Sequence, residues 1–308
     1  MITRNSLFAL AGVVVLFAAS SCIKDDSEEL KADEKKILEQ YILANNINVT
    51  PTESGLYYIE TLAGTGDQAQ KGKWIEINYT GRLVSNNRVV MTSDKQVAKD
   101  NGVYTENVYY GPTRIILGNT PYEGLNQGIL FMKEGGKSRL IFSSDLGIGG
   151  NSTPYIPAYS SFIFDIELLN VIYSPRRYED SLMMAYLTTN EFSLDSTDTG
   201  IYFKETEAGD GNFPEKYDEV TVNYTGKFLN GDVFDGTGKS FSFTIGTNAV
   251  IPGFEDGVKM MRKNGSATVV IPYYHAYGEA GRLDVQYRTV IPPFTTLVFD
   301  LSLANIAE

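Results

Sequence analysis

The 308-residue sequence predicts an α+β protein of two tandem units, each an antiparallel sheet wrapped around a short helix and each preceded by another helix. Three observations predict it. Residues 54–83 and 199–228, aligned without a gap, are identical at twelve of thirty positions, where average residue usage near 7% would give about two. The chain is therefore duplicated at an offset of 145 residues. Within each copy the apolar pattern changes from helical spacing to alternation. The alternating runs are short and broken by Gly, Pro and Asn, as in antiparallel sheets with one face in a core.

The chain opens with Arg4, an apolar run over 7–19, and Ser20-Ser21-Cys22. The run is too short, and too abruptly followed by charge, for a membrane span, and it reads as a signal peptide over 1–21. Cys22 is the only cysteine. Its place resembles that of the acylated cysteine in bacterial lipoprotein signals, which implies a lipid anchor at Cys22 and no disulfide in the mature chain. The acidic stretch that follows, Asp25-Asp26-Ser27-Glu28-Glu29, resembles the export signals of Bacteroidota-type lipoproteins. The expected location is the outer membrane of the cell envelope, on its periplasmic or surface face.

The first unit begins with a tether and helix over 22–53, in which Ile37, Leu38, Tyr41 and Ile42 form one apolar face. Leu182, Met183, Tyr186 and Leu187 repeat that face in a linker helix within 174–198. Both faces are short and abut a unit, so they are expected to pack on it. The unit over 54–173 carries strand-like runs at 75–79, 139–142 and 162–166, with a helix at 124–132. The unit over 199–308 repeats them at 220–224, 241–245, 267–271 and 296–301, with a helix at 253–262.

The second unit reads Val222-Asn223-Tyr224-Thr225-Gly226, Val233-Phe234-Asp235-Gly236, Phe241-Ser242-Phe243, Val250-Ile251-Pro252-Gly253-Phe254, Ala276-Tyr277-Gly278, Val290-Ile291-Pro292 and Leu297-Val298-Phe299-Asp300. In that order and spacing it is similar to the FKBP-type peptidyl-prolyl cis-trans isomerases along its full length. The resemblance implies a pocket floored by Phe254, walled by Tyr224, Phe234, Phe241, Val250, Ile251, Val290, Ile291 and Phe299, and rimmed by Tyr277. It implies that Asp235 hydrogen-bonds the Tyr224 hydroxyl, and that the Ile251 amide and the Tyr277 hydroxyl hold the carbonyls flanking a proline. Tyr224, Asp235, Ile251, Tyr277 and Phe299 are thus the implied catalytic set. Such a reaction needs no metal, cofactor or covalent intermediate. The implied substrates are proline-containing polypeptides of exported proteins.

Other classes fit poorly. With 26 basic against 38 acidic residues, the net charge of −12 disfavours nucleic acid. A single histidine, His275, builds neither a histidine metal cluster nor a hydrolytic triad, and it is expected at the rim or surface. No carboxylate pair in a cleft is placed as a glycosidase requires.

The two copies differ where the chemistry lies. In the first, Met91 falls near the position of Asp235, Leu125 replaces Phe254, Pro121-Tyr122 replaces Val250-Ile251, and Ile148 replaces Tyr277. About seventeen extra residues within 85–113 are expected near that copy's pocket mouth. The first copy is therefore expected to be inactive. In the second, Phe254 stands where the family most often has tryptophan, and Tyr287 and Arg288 in a lengthened loop over 279–289 are expected to overhang the pocket. The alternative is a tandem lipoprotein that binds a peptide or protein partner without turnover.

Overall fold

A computed structural model describes residues 26–285 and 288–307, with only the backbone at 237–239. Cys22 and Tyr287 lie outside the described residues. Helix α1 (Asp26–Ala44) precedes strands β1 (Tyr57–Leu62), β2 (Trp74–Leu83) and β3 (Val89–Thr92). Helix α2 (Lys95–Asp100), strand β4 (Thr113–Ile116), helix α3 (Glu123–Leu130) and strands β5 (Lys137–Phe142) and β6 (Phe162–Ile172) complete the first unit. The second follows with α4 (Pro175–Thr189), β7 (Tyr202–Glu207), β8 (Glu219–Phe228), β9 (Val233–Thr244), α5 (Pro252–Lys259), β10 (Ser266–Ile271), the short pair β11 (Arg282–Leu283) and β12 (Thr289–Ile291), and β13 (Leu297–Ala307).

Both main sheets are antiparallel and share one strand order. The first runs β1-β5-β6-β2-β3 with β4 also on β2, and the second runs β7-β10-β13-β8-β9. The duplication is therefore one of topology as well as sequence. One difference matters. In the second copy β9 pairs along nearly the whole of β8, whereas in the first β3 covers Thr80–Arg82 of β2 and β4 covers Trp74–Ile77. The extra residues interrupt what would otherwise be one strand.

On the inner face of each sheet lies the short helix. Glycines let the helix approach closely: a Cβ on Gly253 would stand 2.3 Å from Ile271, and one on Gly128 would stand 2.4 Å from Leu140. On the outer faces lie α1 and α4. Leu38, Tyr41 and Ile42 pack on Val84, Ile141 and Ile163, and Met183 and Leu187 pack on Val270 and Val298. The apolar stripes read in the sequence are these docking faces, with Ile37 and Leu182 left at their exposed margins. Pro175 starts α4 because its fixed φ suits a first turn and its missing N–H is not needed there.

A buried glutamate fixes each docked helix. Glu34 accepts from the Ser144 amide (2.6 Å), the Ser144 hydroxyl (2.6 Å) and the Ser161 hydroxyl (2.7 Å). Its repeat-mate Glu179 accepts from the Thr296 amide at 2.6 Å and also takes an ion pair with Arg114 of the first unit at 2.8 Å. Arg114 in turn reaches Glu76 at 3.0 Å and donates to the carbonyls of Pro293 (3.3 Å) and Phe294 (3.1 Å). Trp74 packs edge-on against Phe294 at 5.5 Å. The two units are thus joined by a buried cation held between two carboxylates. Among the described residues no helix is long and apolar enough to cross a membrane.

Candidate active site

The second unit gathers most of the expected residues at one place. Tyr224 lies on β8, Phe234, Asp235 and Phe241 on β9, Ile251 at the N-cap of α5, Phe254 in its first turn, and Phe299 on β13. Phe254 stands edge-on to both Tyr224 (5.5 Å between centroids, 86°) and Phe299 (5.2 Å, 85°). Phe234 meets Phe299 at 5.7 Å and Tyr224 meets Phe241 at 6.4 Å. Edge-to-face contacts of this kind use the ring quadrupoles and fix the aromatic wall. Val250, Ile251, Tyr277 and Val290 pack as half-buried neighbours on the same core.

Strand register explains why Gly226 ends the motif Asn223-Tyr224-Thr225-Gly226. It faces Phe299 on one side and Asp235 on the other. A Cβ there would lie 2.7 Å from Phe234 and 2.9 Å from Phe299, inside the space the aromatic rings occupy. The first copy repeats this at Gly81, where a Cβ would lie 2.7 Å from Phe164.

Burial, the Asp235 charge and the hydrogen bond to Asp235 together push the Tyr224 phenol up to about 12. The hydroxyl therefore stays protonated. The guanidinium of Arg282 lies 5.7 Å from the centre of the Tyr277 ring. Among the described residues, no backbone carbonyl takes the Ile251 N–H. Phe254 and Phe299 are almost fully buried, while Phe241 is 38% exposed and forms the open edge of the wall.

Some expectations change. Ile291 is buried in one core with Phe254 and Phe299, and Val290 beside it is half-buried and borders the cleft toward the first unit. Arg288 does not overhang the pocket. It bonds Asp284 of its own loop at 2.6 Å and donates to the Thr105 hydroxyl at 3.0 Å, so the guanidinium is held between that loop and the first unit. A cation that no sequence motif marked, Arg282, lies beside Tyr277. His275 is half-buried, its ring against Tyr274 at 4.8 Å.

In the first copy the same backbone positions hold different chemistry. Met91 faces Gly81 in the register that Asp235 has with Gly226. Tyr122, at the N-cap of α3, lays its ring against Phe162 (5.4 Å) and Phe164 (5.6 Å), and Ile148 and Leu125 pack around the same core. Burial and the neighbouring Tyr79 push the Tyr122 phenol up to about 12. The extra residues do border this copy's mouth, but they also reach the second copy, where Tyr109 packs edge-on against Phe228 at 5.0 Å. Among the described residues, no group of three or more His, Cys, Asp or Glu side chains could hold a metal ion.

The family model for the FKBP-type peptidyl-prolyl cis-trans isomerase matches residues 66–169 and 210–304. The FKBP-type peptidyl-prolyl cis-trans isomerase FkpA of Escherichia coli (strain K12) is 38% identical over 119 residues, which are 38% of this chain and 41% of that protein. The chain thus matches under half the length of that relative. FK506-binding protein 1 of Debaryomyces hansenii is 39% identical over 104 residues, 32% of this chain and 88% of that protein. The crystal structure of FkpA from Escherichia coli aligns with a TM-score of 0.37 at 32% identity, covering 43% of this chain and 61% of that one. Two matched segments, together more than half of the sequence, and a relative covered over most of its length establish that the chain belongs to the FKBP-type peptidyl-prolyl cis-trans isomerase family.

Proposed function

We propose that the chain is a lipid-anchored foldase of the bacterial cell envelope whose second unit isomerises X-Pro bonds in exported polypeptides and whose first unit has no turnover of its own. The observation that carries this is the convergence of Tyr224, Phe234, Phe254 and Phe299 in one aromatic wall. In the first copy Met91 and Ile148 stand in place of the two polar members, and Tyr122 and Leu125 pack on the same core.

The chemistry follows from the amide. Rotation about X-Pro is opposed by resonance, with a barrier of roughly 18–20 kcal/mol. Water stabilises the charge-separated planar amide more than the twisted one, so an apolar aromatic pocket favours the twist. The Ile251 N–H and the Tyr277 hydroxyl then hold the flanking carbonyls in the twisted geometry, which is the differential binding that acceleration requires. Lowering the barrier by about 4–7 kcal/mol gives roughly 10³- to 10⁵-fold. No proton is transferred, which agrees with a Tyr224 phenol held far above neutral pH.

A protease-free prolyl isomerisation assay on the full chain tests the reading. Asp235→Ala and Tyr277→Phe are expected to lower kcat/KM at least tenfold, while Ile148→Ala in the first unit leaves it unchanged. FK506, for which the Debaryomyces hansenii relative is named, is expected to compete. Full activity in both second-unit variants would overturn the assignment. The anchor is tested by labelled fatty acid, whose incorporation is expected in the wild-type chain and absent in Cys22→Ser. A second reading, partner binding without turnover, is favoured by one observation: Phe254 floors the pocket without the indole donor that the family most often has there.

A further inference from the structure

The run 104–110, within the interruption between β3 and β4, leaves its own sheet and leans on the second unit. The Tyr109 amide donates to the Thr289 carbonyl at 2.8 Å, and its ring joins the second unit's core beside Phe228. Thr105 accepts from Arg288 at 3.0 Å. Two anchors therefore fix the run on either side of one opening. That opening is a cleft of about 420 Å³ between Tyr104, Asn107 and Tyr110 of the first unit and Phe234, Asp235 and Val290 of the second. The last three are also walls of the aromatic pocket, so the cleft and the pocket share one side.

From this continuity we infer that the first unit's interruption is a specificity element of the second unit's site, receiving the residues that flank the substrate's proline. The inference rests on the isomerase reading above. A polypeptide seated with its proline on Phe254 must leave the pocket past Phe234, Asp235 or Val290, and on that side its next contacts come from the first unit. Tyr109 is a positioning residue: it holds the run in place and its ring is spent on Phe228. Among the described residues that line the cleft, the ionic groups are Glu106, Asp232 and Asp235 against Lys95. This excess of negative charge favours lysine or arginine beside the proline and disfavours glutamate or aspartate.

The test uses the full chain and proline peptides of equal length flanked by lysine, alanine or glutamate. Turnover is followed by the protease-free assay and binding by fluorescence anisotropy. In the wild-type chain the lysine-flanked peptide is expected to exceed the glutamate-flanked one about tenfold in kcat/KM and in affinity, the effect of one or two partly screened charge contacts. Glu106→Lys combined with Asp232→Lys should bring that ratio to one or below. Tyr109→Ala should lower it, and Tyr109→Phe, which keeps the ring, should restore it. A wild-type ratio near one with the alanine peptide turned over would overturn the inference, as would a ratio indifferent to the charge reversals. Absence of all turnover with the binding preference intact would sink the catalytic reading and leave the cleft standing.

Discussion

Removing the cation at the junction should destabilise the protein far more than removing any surface charge. Arg114 is 11% exposed and lies between Glu76, 10% exposed, and Glu179, 2% exposed. Burial alone would lower the Arg114 pKa, but the two carboxylates outweigh it and the net shift is upward. Arg114→Ala leaves both carboxylates buried without a counter-charge, a loss of about 3–5 kcal/mol for a broken buried pair. Each keeps other donors, the Thr296 amide for Glu179 and the Tyr178 hydroxyl and Asn170 amide at 2.8 Å for Glu76. The expected value is therefore at the lower end, about 3 kcal/mol. Urea unfolding followed by fluorescence of Trp74, the only tryptophan and itself at the junction, measures the loss. Adding Glu179→Gln and Glu76→Gln should recover much of the loss. A loss under about 1 kcal/mol, or one unchanged by neutralising the glutamates, would refute the reasoning.

Three further outcomes are expected. Gly226→Ala places a methyl within 2.7 Å of Phe234 and should cost about 1–3 kcal/mol in denaturant unfolding while lowering isomerase kcat/KM, since the rings that move are the pocket wall. Tyr224 titrates at about 12, so its contribution to stability is complete below the ordinary tyrosine value near 10 and is lost as pH rises from there to about 12. Tyrosinate absorbance should show that step vanish in Tyr224→Phe and move to lower pH in Asp235→Asn. Glu34→Ala should release α1 from the first sheet, read as faster hydrogen exchange along 26–44, because three donors of Ser144 and Ser161 lose their acceptor.

The sequence by itself determined the duplication, the two helix-wrapping sheets and which aromatic residues of the second copy stand together. Each of these is local or repeats at a fixed offset: alternation fixes which strand residues face inward, and the run from Val222 to Gly226 recurs 145 residues after Ile77 to Gly81. It also marked the losses in the first copy, where Met91 and Ile148 stand in for an acid and a phenol. Sequence could not show that Arg288 reaches Thr105, because that acceptor belongs to the other copy. Nor could it show that Arg114 joins Glu76 to Glu179, or that Tyr109 crosses to Phe228. Those contacts join residues from different copies, and no periodicity or repeat connects them. Only the packing of one unit on the other brings them within reach, and it is this packing that sets the first copy's Tyr109 against Phe228 of the second.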